Sequence, residues 1–169
     1  MANTFELIAS STVGAGGSAN ITFSSIPSTF TDLCVLYSAR TNRNDLADDV
    51  NLQFNGVTTG YSNKRLYGYG TGVTSDSPAN VQGGFATATT TTANTFGNGL
   101  IYIPNYTSSN QKSFSVDAVS ENNNSVAVMC LLAGLSNITA AISSILLAPT
   151  NGTAFVQYST AYLYGVKNA

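Results

Sequence analysis

The sequence predicts an all-β fold, a two-sheet jelly-roll or Greek-key sandwich of about eight to ten short strands, with residues 1–169 forming a single domain. Three observations predict it. Side chains alternate with a period of two from end to end, helical periodicity is nearly absent, and Gly, Asn, Ser, Thr or Pro clusters separate the alternating runs. No internal repeat of fixed period is visible, which argues against a β-helix or a propeller. Hydrophobic residues make up 43% of the chain and the net charge is only -2, so the chain has the means to bury a core.

Strands are expected at 4–10, 19–24, 33–39, 50–55, 64–69, 99–103, 113–119, 125–132, 142–148 and 154–166. Asn55-Gly56, after Val50-Asn51-Leu52-Gln53-Phe54, supplies the positive φ angles of a tight reversal. Residues 68–78 read as turn-rich loop or weak edge strand, and 87–94 as a polar Thr tract; binding specificity would most easily reside there. The run from Ser125 to Leu135 could pass for a buried helix, but its β-branched content and the preceding Asn122-Asn123-Asn124 favour a fully buried strand. In the last run, Val156, Tyr158, Thr160, Tyr162 and Tyr164 share one face and Phe155, Gln157, Ser159, Ala161 and Leu163 the other, as in a long central strand.

Charge excludes several functions. Charged residues are 8% of the chain, against about 25% in an average globular protein, and Ser, Thr and Asn supply roughly a third of it. Scattered at Arg40, Arg43, Lys64, Arg65, Lys112 and Lys167, the cations form no stripe able to neutralise a nucleic-acid backbone. Neither a signal peptide nor a membrane span is expected, so no membrane partner is, and the chain is expected to fold in a cytosol. Cys34 and Cys130 sit in apolar runs and are expected as buried thiols.

Catalytic machinery is equally hard to assemble. With no histidine, neither a Ser-His-Asp nor a Cys-His arrangement can form within the chain. Glycoside hydrolysis needs only two carboxyl groups, and Glu121 is its foremost candidate acid, with Glu6 and the aspartates as partners. The nine tyrosines fall mostly at strand positions, where packing accounts for them. Asn44, Asp45, Asp48 and Asp49 could offer oxygens to calcium, but their spacing is not that of an EF-hand, and Arg40 and Arg43 are close enough to pair with them. A solvated polar loop with local ion pairs is the expectation there. Gly14-Ala15-Gly16-Gly17 lacks the Lys-Ser/Thr of a phosphate loop. No catalytic, cofactor-binding or metal-binding residue is therefore assigned, and no cofactor is expected.

Four phrases carry a resemblance: Ser38-Ala39-Arg40-Thr41-Asn42-Arg43, Val50-Asn51-Leu52-Gln53-Phe54-Asn55-Gly56, Ile101-Tyr102-Ile103-Pro104-Asn105-Tyr106, and the closing Phe155 to Gly165. With them the chain resembles small β-sandwich virion structural proteins of tailed bacteriophages, of the capsid decoration (cement) or tail-fibre type. The resemblance implies a non-enzymatic homotrimer on the capsid surface, partnered by the major capsid protein or another virion protein. It implies no functional residue. A fibre needs an elongated shaft or a separate attachment domain, for which this chain has no room, so cement is preferred over a receptor-binding tip that contacts the host surface.

Overall fold

The computed structural model describes residues 4–78, 82–121, 123 and 126–167, and among these there are strands and turns but no helix. Asn122, Asn124 and Ser125, expected in a turn and at a strand start, lie outside the described residues. The strands in chain order are β1 (Phe5–Thr12), β2 (Ile21–Phe23), β3 (Asp32–Ala39), β4 (Ala47–Phe54), β5 (Tyr61–Tyr69), β6 (Gly72–Asp76), β7 (Gln82–Thr87), β8 (Gly97–Ile103), β9 (Lys112–Ser120), β10 (Val128–Ser136), β11 (Ile145–Pro149) and β12 (Thr160–Val166). One sheet has eight strands ordered β1-β12-β3-β8-β9-β10-β5-β6, and the other four, ordered β2-β11-β4-β7. Every pairing within them is antiparallel.

The order is that of a jelly roll with two additions. Its ends nest, β1 on β12 and β2 on β11, with β3 and β8 completing one sheet of the roll and β4 and β7 the other. The hairpins β5–β6 and β9–β10 then widen the first sheet on the β8 side. The two-sheet all-β expectation holds, and the twelve strands exceed the expected eight to ten.

Both extra strands lack ordinary strand composition. The edge strand β6 is exposed along nearly its whole length, so no apolar alternation marks it. β7 reads Gln-Gly-Gly-Phe-Ala-Thr and is buried throughout. Its backbone lies against the large sheet: a Cβ on Gly84, whose φ is +105°, would stand 2.5 Å from the Tyr37 hydroxyl and from Ala118. That hydroxyl reaches the carbonyls of Gly83 and Phe85, each at 3.0 Å.

Two boundaries also moved, and one turn joins other strands than expected. β4 begins at Ala47, taking Asp48 and Asp49 out of the expected loop. β12 is shorter than the expected run, which is irregular before Thr160 and holds Tyr158 at φ 71°. Asn55 and Gly56 do have positive φ, 53° and 71°, and Val57 bonds back to Phe54. Yet this turn does not join partners, because β4 and β5 belong to different sheets.

The core lies between the sheets. Leu33 and Val35 of β3, Ile101 and Ile103 of β8, and Leu163 of β12 face Val50, Leu52 and Phe54 of β4 and Ile145 and Leu147 of β11, all essentially without exposure. Each such side chain contributes about 1.5–3 kcal/mol by leaving water, which is what holds two sheets of so uncharged a chain together.

Candidate interaction face

Strand β10 was expected to be buried on both sides, and it is not. Cys130 and Leu132 enter the core, whereas Met129 and Leu131, 61% and 58% exposed, stand on the opposite side with Leu135. The four-stranded sheet packs on one face of the eight-stranded sheet, over its central strands, and leaves the other face open. Cross-strand register places Tyr162, Leu36, Leu100, Asp117, Leu131 and Leu66 in one row across that open face, on β12, β3, β8, β9, β10 and β5. Leu36 and Leu100 are 38% and 40% exposed and Leu66 52%, so the row is apolar on both sides of a carboxylate. Scattered exposed apolar residues need no explanation, but a contiguous set on a flat sheet marks a contact surface.

Two hollows mark this face. At the β1 side, Phe5, Cys34, Leu36, Leu100, Tyr102 and Tyr164 line one of about 310 Å³. At the far end, Gly68, Gly70, Gly72, Val73, Val119 and Met129 line a groove of about 340 Å³ that also reaches Glu121. Glu121 is the sole carboxylate among the described residues lining that groove, so the candidate acid has no second carboxyl group beside it there. Both cysteines are buried as expected, Cys34 beneath the rings of the first hollow and Cys130 in the core.

The candidate calcium residues diverge. Asp45 pairs with Arg43 at 2.7 Å. Asp48, fully buried, accepts from the backbone amides of Asn151 and Gly152 at 3.1 and 2.8 Å, while Asp49 takes Arg65 at 2.8 Å. Among the described residues no three His, Cys, Asp or Glu side chains are placed to hold a metal ion. The ion pair expected locally is present at Arg43, but Asp48 serves as an anchor for the loop after β11 rather than as part of a solvated loop.

Arg65 binds the two sheets at one side of the sandwich. Its guanidinium meets Asp76 through two bonds of 3.0 and 2.7 Å, Asp49, and Gln82, and lies over the rings of Tyr67 and Phe85 at 4.4 and 5.0 Å. Burial pushes the Asp49 carboxyl above its ordinary range, and Arg65 opposes that rise. Arg40, 8% exposed, has no carboxylate partner among the described residues. It donates instead to the carbonyls of Thr89, Thr91, Thr92 and Thr95 and to two threonine hydroxyls. The Thr tract expected to carry binding specificity is thus wrapped around a buried guanidinium, a structural use of its polarity.

Beneath the first hollow, the Asp32 carboxylate accepts from the Tyr102 hydroxyl at 2.6 Å and from the Asn105 amide at 2.8 Å. The bond to Asp32, and then burial, push the Tyr102 phenol from 10.0 up to about 12. Burial pushes the Cys130 thiol from 9.0 up to about 11 and Tyr37 well above its ordinary value. These groups keep protons in the native state at a pH where the unfolded chain has released them. Their contribution is therefore complete below the unfolded values and disappears as pH rises through the folded ones. The melting temperature is expected to fall between about pH 9 and 12, and Tyr102→Phe is expected to flatten the fall. Thermal scans across that range check it; a slope unchanged in the variant would show that Tyr102 is not one of the groups responsible.

Comparison of the chain with family models, with curated proteins and with solved structures gave no match in any of the three. What the chain does must therefore be argued from its own residues. Among the described residues those assemble a core, two buried arginine clusters and one broad open face.

Proposed function

We propose that this chain is a non-enzymatic structural protein of a tailed-phage virion, a capsid decoration or cement protein that binds and stabilises the head shell as a homotrimer. The observation that carries the reading is the open face of the eight-stranded sheet, where Leu36, Leu66, Leu100 and Leu131 are exposed on a rigid strand framework. Flat, preorganised strands lose little conformational freedom on docking, so the apolar area they bury is retained as affinity. A net charge of -2 gives the surface little attraction for the packaged nucleic acid.

The physical role follows from linkage. A subunit that binds only the mature shell shifts the equilibrium towards that shell, and joining several copies makes the second and third contacts effectively intramolecular. The experiment is to add purified protein to empty expanded heads that lack it, then measure co-sedimentation and the disruption temperature. Saturable binding and a higher disruption temperature are expected. No binding to heads, with binding to host cells instead, would replace this reading by the receptor-binding tip, and turnover of a polysaccharide would replace it by a hydrolase.

A further inference from the structure

We propose that the cleft between the first residues of β4 and the β5–β6 hairpin is a saccharide-binding site, in which a pyranose ring stacks on Tyr69 and its hydroxyls bond to Asp45, Asp49 and Arg43. Tyr67 and Tyr69 alternate along β5 with Leu66 of the open face, so the cleft lies on the opposite side of the large sheet. Arg43, Asp45, Asp49, Tyr67, Tyr69 and Phe85 line a hollow of about 230 Å³ there. A second hollow of about 330 Å³, along β6, shares Tyr67 and Tyr69 with the first. Because β6 is exposed along nearly its whole length, the small sheet does not close over this end.

A pyranose presents an apolar face of ring C–H groups and a rim of hydroxyls that both donate and accept, so a site for it needs an aromatic ring beside fixed polar groups. The cleft supplies both. Tyr69 is 45% exposed, Tyr67 is packed 6.3 Å from Phe85, and among the described residues neither tyrosine hydroxyl has a hydrogen-bond partner. Arg65 takes one oxygen of Asp49 at 2.8 Å, and the other oxygen has no partner among the described residues. Asp45 is fixed by the Leu46 amide and by Arg43, each at 2.7 Å, yet its side chain stays 40% exposed. Groups held in place before a ligand arrives lose little freedom when it binds. Two guanidiniums, of Arg43 and Arg65, stand against the carboxylates of Asp45 and Asp49, and this balance favours an uncharged sugar over a phosphate or an acidic one. The first hollow is smaller than the roughly 300–1,000 Å³ of a drug-sized pocket, which suits one ring, and the second hollow takes the next. A subunit seated on a shell by its open face keeps this cleft clear, so the site does not depend on the decoration role.

The test is saturation-transfer NMR of the full chain with three uncharged trisaccharides, cellotriose, maltotriose and chitotriose. At least one is expected to bind, with transfer strongest at the C–H protons of one ring face. Tyr69→Ala and Asp45→Ala, both at exposed side chains, should keep the native circular dichroism and each weaken binding at least about fivefold, the scale of one aromatic or charged contact. Tyr69→Phe should retain the stacking, and Leu131→Glu on the open face should leave sugar binding unchanged. No transfer to any of the three at about 10 mM, where even a site of about 1 mM would be filled, would overturn the inference. So would binding that either alanine variant leaves intact, or that Leu131→Glu abolishes. Head binding by Tyr69→Ala is measured separately and is expected to be normal, so loss of the sugar site and loss of the decoration role are read apart.

Discussion

Replacing Arg65 with Leu is expected to lower the unfolding free energy by about 3 kcal/mol, the lower end of what removing one partner from a buried ion pair costs. Asp76 is 38% exposed at its side chain and can be rehydrated, so the loss falls on Asp49, 22% exposed, and on Gln82, 4% exposed, which lose a charged donor between the sheets. At about 2–4 °C per kcal/mol for a chain of this size, the melting temperature should drop by roughly 6–12 °C. The variant also carries a pH signature. Without the guanidinium, burial alone acts on Asp49, whose folded pKa already lies above its unfolded value. The native state then takes up a proton before the unfolded chain does, so stability lost at neutral pH should return on acidification. Urea unfolding of Arg65→Leu at neutral and mildly acidic pH measures both effects. A deficit that stays constant or grows on acidification would show that Asp49 does not bear the loss.

The second large effect is expected at Phe114. Its ring lies directly across from Gly134 in the β9–β10 register, so close that a Cβ on Gly134 would stand 2.1 Å from a ring carbon. The same ring meets Phe54 edge-on, with centroids 5.4 Å apart, which ties the added hairpin to the small sheet. Phe114→Ala should cost about 3–5 kcal/mol, through lost burial and the void left behind. Gly134→Ala, which forces the ring aside, should cost about 1–3 kcal/mol. Because the added methyl enters space that the ring vacates, the double variant should be more stable than the sum of the two losses allows, by at least about 0.5 kcal/mol. Denaturant unfolding of all four proteins provides the comparison, and strict additivity would contradict this packing account.

Local sequence was enough for the sandwich because alternation reports which side of a strand is apolar and turn residues report where strands stop. It was not enough for β7, where two glycines allow the backbone itself to pack on the large sheet and leave no side-chain pattern to read. It also misplaced Asp48 and Asp49, since carboxylates ordinarily signal a loop until a buried guanidinium or a pair of amides is brought to them from far along the chain.

The open face shows the same limit most plainly. From Val128 to Leu135 nearly every residue is apolar, a composition that fits a strand covered on both sides. Composition and periodicity by themselves determined an all-β, weakly charged chain without histidine chemistry, because these depend on residue types and their immediate spacing. Only the tertiary structure decided that half of β10 stays uncovered, that its neighbours bring Leu66, Leu36 and Leu100 into line with Leu131, and that Asp117 divides them. Strands distant in the chain create that face by pairing, and it stays uncovered because the small sheet packs against the opposite side of the large one.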